Sequence, residues 1–139
     1  MDCPLCTTVG KNILFESDLL YVVAVEDDAK APAFCRVIWK KHIQEMTDLT
    51  ANEQQYLMSC VFKVEAAMRQ VLHPTKMNLA SFGNQVPHLH WHVIARFQTD
   101  SCFPDPIWAP EKRAMPALNL PAKWHEQVAK LLGESIKAI

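Results

Sequence analysis

An α+β architecture, a five-stranded antiparallel sheet with one long helix and a C-terminal helix, is expected from three observations. Short β-branched and aromatic runs alternate with polar or proline-bearing breaks, one mid-chain stretch keeps helical periodicity, and a proline-punctuated tail ends in a second apolar stripe. Ile13–Phe15, Leu19–Val25 and Cys35–Trp39 read as the first three strands, with segments such as Glu26–Pro32 as breaks. Thr50 and Glu53 then stand in capping-box spacing, ahead of Leu57, Val61, Val64, Met68 and Val71 at alternating steps of four and three, and His73-Pro74 stops the pattern. Met77–Phe82 reads as the fourth strand, Gly83–Pro87 as a tight polar loop, and Leu89–Phe97 as the fifth strand. Beyond Phe97, five prolines (104, 106, 110, 116 and 121) and Trp108 predict irregular wrapping. Pro121 suits the first turn of a closing helix whose apolar stripe is Trp124, Val128, Leu131 and Leu132. Residues 1–97 are thus the core of a domain and 98–139 an extension packed on it.

A chain of 139 residues fits one such domain, and at that length roughly 70% of the unfolded surface is buried on folding. Its net charge of −1 supplies no electrostatic footprint for nucleic acid, though it is compatible with a small anionic ligand. The five cysteines are an odd number, and Met1-Asp2-Cys3 carries neither the basic nor the apolar block of a secretory leader, so a reducing cytoplasmic setting is expected. No apolar run reaches the roughly 20 residues that cross a bilayer, so no membrane association is expected.

The chemistry is concentrated in His88, His90 and His92, which alternate with Leu89, Trp91 and Val93. On a strand this spacing gives one face three imidazoles and the other a hydrophobic surface for the core. Same-face neighbours stand about 6.5–7 Å apart, so His88 and His92 are separated by roughly 13 Å. Imidazole–metal bonds are about 2.1 Å long. One ion therefore does not hold all three, and an end histidine serves a different task from the others. The middle ring, His90, is the natural nucleophile. The plain alternative is a polar strand face of solvated histidines. Separately, Cys3 and Cys6 form a C-x-x-C pair that supplies two metal ligands, or alternatively a redox pair. Cys35, Cys60 and Cys102 lie in apolar or irregular surroundings and are expected to be inert. Trp108 and Trp124 are expected to pack, with capping of a purine ring as the alternative.

His88-Leu89-His90-Trp91-His92-Val93-Ile94 resembles the histidine triad (HIT) pattern, H-φ-H-φ-H-φ-φ with φ apolar, at every position. Glu26 to His42, ending in Val37-Ile38-Trp39-Lys40-Lys41-His42, is similar to that family's second and third strands and their closing histidine. The resemblance implies a HIT-like fold, a homodimer, and a nucleotide hydrolase or nucleotidyltransferase in which His90 attacks the α-phosphate to form a covalent nucleotidyl-histidine. A dinucleoside polyphosphate or a nucleoside phosphoramidate would be such a substrate. It further implies that His92 bonds the phosphoryl oxygens or the leaving group, that Asn78 offers an amide to the phosphate, and that Glu26 holds the ribose hydroxyls. The backbone amides of Gly83, Asn84, Gln85 and Val86 form a donor loop for phosphate charge, although glycine there also reads simply as a turn residue. A structural zinc on Cys3, Cys6, His42 and His88 follows from the same resemblance.

Two departures matter. Family members carry Pro-Arg after the triad and Gly-Gln-Ser or Gly-Gln-Thr before it, whereas this chain has Ala95-Arg96 and Gly83-Asn84-Gln85. The loop hydroxyl is missing, with Gln85 as the substitute donor. The competing readings are a zinc-dependent hydrolase or hydratase acting through metal-bound water, and a non-catalytic nucleotide sensor.

Overall fold

The computed structural model describes residues 3–136; residues 137–139, and Met1 and Asp2 on which the absence of a leader was read, lie outside the described part. Its strands are β1 (Asn12–Glu16), β2 (Leu20–Val25), β3 (Phe34–Trp39), β4 (Lys76–Ala80) and β5 (His90–Arg96), and its helices α1 (Ala51–Leu72) and α2 (Trp124–Ser135). The strands form one antiparallel sheet in the order β1-β2-β3-β5-β4. This is the expected α+β architecture.

Alternation along the strands separates two faces. Leu20, Val22 and Ala24 of β2, Cys35, Val37 and Trp39 of β3, and Val93 and Ala95 of β5 pack against Leu57, Val61, Val64 and Met68 of α1 and Val128 and Leu132 of α2. Each fully buried valine, leucine or methionine among them contributes about 1.5–3 kcal/mol. The opposite face holds two smaller clusters, Leu5 with Tyr21, Val23 and Ile38, and Ile107 with Val25, Ala31, Phe34 and Ile94. All six residues of β2 are buried because both faces are covered. On β3, Arg36 falls between Phe34 of one small cluster and Ile38 of the other, leaving a polar gap in the second face.

The start of α1 forms as its capping box predicts. The Thr50 hydroxyl accepts from the Glu53 amide at 3.2 Å, and the Glu53 carboxylate accepts from the Thr50 amide at 2.8 Å. Its end is His73 in a left-handed conformation (φ 48°), ahead of Pro74, which disfavours continued helix at the residue before it. Several details differ from the sequence expectation. The fourth strand runs Lys76–Ala80 and stops short of Phe82. The fifth strand begins at His90 and not Leu89, because the His88 amide donates to the Val86 carbonyl and the Leu89 amide to the Ile43 carbonyl, outside the ladder. Pro121 precedes α2 in a turn, its carbonyl accepting from the Trp124 amide. Two short 3₁₀ turns, Pro4–Cys6 and Met46–Asp48, carry no periodicity that a sequence pattern would reveal.

Past β5, Arg96 closes a bidentate pair with Asp100, Nε to Oδ2 and Nη2 to Oδ1, both at 2.9 Å. Asp100, Ser101 and Cys102 are buried, and Ile107 joins the second face. Among the described residues, no helix is long and apolar enough to cross a membrane.

Candidate active site and metal cluster

His90 and His92 project from β5 into the polar gap, their rings edge to face with centroids 4.9 Å apart. The Nδ1–H of His90 donates to the His88 carbonyl oxygen at 2.6 Å. Because a carbonyl can only accept, the proton sits on Nδ1 and the Nε2 lone pair is left free. Burial pulls the His90 pKa below its ordinary value; the bond to the His88 carbonyl resists this, while Arg36 and His88 add to it. His92 is pushed down to about 4, first by burial and then by His90 and Arg36. Both rings are therefore neutral at neutral pH. The buried Nδ1 of His92 has no hydrogen-bond partner.

The two rings line a cavity of about 530 Å³. The loop Gly83–Val86 forms one wall, Pro4 and Leu5 of the N-terminal turn another, and Phe82 and Trp108 an aromatic edge. Gly83 has φ +72°, a left-handed conformation that a side chain would strain. Arg36 and Lys11 bring positive charge, and among the described residues no carboxylate lines the space. Such a cavity suits an anion.

His88 does not join its two neighbours. Lying before the strand, it turns its Nδ1 to 3.5 Å from both Cys3 Sγ and Cys6 Sγ and 3.1 Å from His42 Nδ1, while Cys6 Sγ is 3.3 Å from His42 Nδ1. All four donor atoms lie within 4.8 Å of one another. Bond lengths of about 2.1 Å to nitrogen and 2.3 Å to sulfur give tetrahedral edges of roughly 3.4–3.8 Å, and the three separations from His88 and the one between Cys6 and His42 lie within a few tenths of these. The four residues could therefore hold a metal ion. The Nε2–H of His88 donates to the Trp39 carbonyl, which fixes the ring and leaves Nδ1 as the ligand atom. Burial holds the ring below its usual pKa, with the Trp39 carbonyl opposing and His42 reinforcing, so the unprotonated form that a metal requires is favoured.

The loop residues expected to contact substrate, Gly83, Asn84, Gln85 and Val86, reach the cavity. Asn78 shares the histidine face, but its amide oxygen accepts from Arg96 Nη1 at 2.9 Å, so this group anchors the arginine that holds the extension. Glu26 is not brought to the cavity. Val25 is the last residue of β2 on the cavity face, and the Glu26 carboxylate instead accepts from Asn12 Nδ2 at 2.7 Å and lies 3.6 Å from His125 Nε2 on α2. Trp124 packs in the core, but Trp108 is 49% exposed, with its ring centroid 5.3 Å from that of His92 and 4.9 Å from that of Phe82. Cys35, Cys60 and Cys102 are buried, and burial pushes the Cys35 thiol up to about 12.

Arg36, Lys11 and Phe82 are cavity residues that the sequence reading passed over. Arg36 had a visible signal, being the one charged residue in the run Phe34-Cys35-Arg36-Val37-Ile38-Trp39.

Comparison with solved structures finds the same fold repeatedly. A histidine triad protein from Bradyrhizobium japonicum is 27% identical with a TM-score of 0.70, covering 91% of each chain. One from Marinobacter aquaeolei is also 27% identical, with a TM-score of 0.72 over 89% of this chain and 90% of that one. A zinc-bound histidine triad family protein from Mycobacterium smegmatis shares the fold at 17% identity, with a TM-score of 0.66 over 96% and 95% of the two chains. No curated protein sequence matches significantly. The sequence pattern of the HIT domain matches residues 7–99. Because that span runs from the turn before β1 to the residues after β5, it takes in the whole sheet and its long helix, and the chain belongs to the HIT domain family.

Proposed function

We propose that this chain is a nucleotide hydrolase or nucleotidyltransferase that works through a covalent nucleotidyl-histidine on His90. The observation that carries this reading is the fixed tautomer of His90. Its Nδ1–H is committed to the His88 carbonyl, so a neutral Nε2 lone pair belongs to a ring lining a cationic cavity. That lone pair forms an N–P bond with the α-phosphorus as the bond from phosphorus to the leaving group breaks, and the leaving group takes the electron pair. Water, or an acceptor hydroxyl, then attacks phosphorus. The N–P bond returns its pair to Nε2, and the attacking group gives its proton to solvent. His92 and the amides of Gly83–Val86 serve as hydrogen-bond partners of the phosphoryl oxygens.

Zinc is the metal that suits the Cys3, Cys6, His42 and His88 set, which offers two sulfur and two nitrogen ligands in a closed shell. Its contribution there is structural, tying the N-terminal turn to the sheet. Four protein ligands leave no position for a reactive water, and His90 stands outside the set, which argues against the metal-dependent hydrolase reading. We further propose a homodimer, and a cytoplasmic setting in which Cys3 and Cys6 stay reduced.

The deciding experiment mixes the protein with labelled nucleotidyl compounds and quenches in alkali, where phosphoramidates survive. Label on His90, lost in His90→Ala with the circular dichroism spectrum unchanged, is expected. Turnover persisting in that variant would overturn the reading. Tight binding of adenosine monophosphate by the wild type without adduct or turnover would make the protein a sensor instead.

A further inference from the structure

Two arginines project from the same face of the sheet, and their surroundings differ sharply. Arg96 has each of its nitrogen positions bonded, two to Asp100 and one to Asn78. Arg36 stands directly across the ladder from His92, yet its Nε is buried without a hydrogen-bond partner. Among the described residues, no carboxylate lies within ion-pairing distance of it. Its guanidinium rests over the Phe34 ring, 5.3 Å from the centroid, and Phe34 in turn lies 5.4 Å from the His92 ring. The side chain is thus oriented by packing while its donors go unused.

A buried, unmatched guanidinium donor is costly unless something accepts from it. The cavity that Arg36 lines also holds His90 and His92, has Lys11 as a second cation, and among the described residues is lined by no carboxylate. Lys11 already donates to the Pro4 and Thr7 carbonyls, which leaves Arg36 as the uncommitted charge. The donor loop Gly83-Asn84-Gln85 has no hydroxyl to offer a phosphoryl group. We infer that Arg36 is a substrate-binding residue that donates to the oxygens of the phosphoryl group presented to His90. This deepens the proposed function and rests on it. The ligand class it selects is one carrying a phosphate or diphosphate; an uncharged nucleoside gains nothing from it. A guanidinium suits this task because its planar donors match two phosphoryl oxygens at once.

The test titrates the full-length protein with adenosine monophosphate, adenosine and inorganic pyrophosphate by calorimetry, in the wild type, Arg36→Gln and Arg36→Lys. Loss of one charge-assisted contact is worth about 10- to 100-fold in affinity. We expect Arg36→Gln to weaken adenosine monophosphate by that factor while adenosine binding is unchanged, and Arg36→Lys to recover part of the loss. The melting temperature of Arg36→Gln should hold or rise, since an unmatched buried donor is removed. A fall in melting temperature with the preference for phosphate intact would make Arg36 a purely structural residue and overturn the inference. Pyrophosphate binding that depends on Arg36, without nucleotide binding, would uphold the anion contact and remove the nucleotide reading. Failure of the wild type to bind either phosphate would end both.

Discussion

His92 shows how one buried ring couples the site to stability. Its folded pKa lies near 4 against an ordinary value of 6.5, so between these values the unfolded chain binds a proton that the folded chain refuses. Stability therefore rises with pH across that window and is lost as pH falls from about 6.5 toward 4, by up to about 3 kcal/mol. Comparing urea unfolding at pH 7.5 and pH 5 isolates the effect. The wild type should lose about 2 kcal/mol more over that interval than His92→Asn, which has no such proton to bind. Equal losses in the two proteins would show that His92 titrates normally in the folded state.

Two elements are held by local devices that can be removed separately. The capping box of α1 satisfies backbone amides at the helix start, so Thr50→Ala should cost about 1 kcal/mol by denaturant unfolding while turnover stays unchanged, since Thr50 is remote from the cavity. The N-terminal 3₁₀ turn is too short to hold itself in place. Leu5 at its centre packs on Tyr21, Val23 and Ile38, and the Tyr21 hydroxyl donates to the Leu5 carbonyl. Cys3 and Cys6 flank the two residues, Pro4 and Leu5, that form a wall of the cavity, so a metal held by these cysteines would fix that wall. Cys6→Ser should lower zinc content, drop the melting temperature by several degrees, and speed hydrogen exchange over residues 3–11. Full zinc retention in that variant, measured by atomic absorption, would exclude Cys6 as a ligand.

Across the whole molecule, the buried Arg96–Asp100 pair joins the sheet to the extension. Burial alone would raise the Asp100 pKa, but hydrogen bonds from Arg96 and from the Phe97 and Phe103 amides outweigh it and hold the carboxylate below its ordinary range. Asp100→Ala leaves the Arg96 charge buried without its partner, and a loss of about 3–5 kcal/mol in a single unfolding transition is expected. A separate early transition would mean that the extension folds independently of the core. Much of the molecule could be read from nearest neighbours along the chain. The capping box, the stripe of α1 and the alternation at His90 and His92 are local patterns, and each forms where it was expected. Glu26 and Asn78 could not be placed that way, because their partners, His125 and Arg96, arrive from elements 99 and 18 residues further on. Nor could the departure of His88 from its fellow histidines, which depends on hydrogen bonds that end the strand ahead of it and on cysteines brought from the other end of the domain. Periodicity thus dictates which residues form each strand and helix and which way their side chains alternate, because backbone geometry has a fixed repeat. The identity of each side chain's partner depends on strand order and chain reversal, so the separation of the cysteine–histidine cluster from His90 and His92, and the lack of an acceptor for Arg36 among the described residues, emerge only when distant segments pack together.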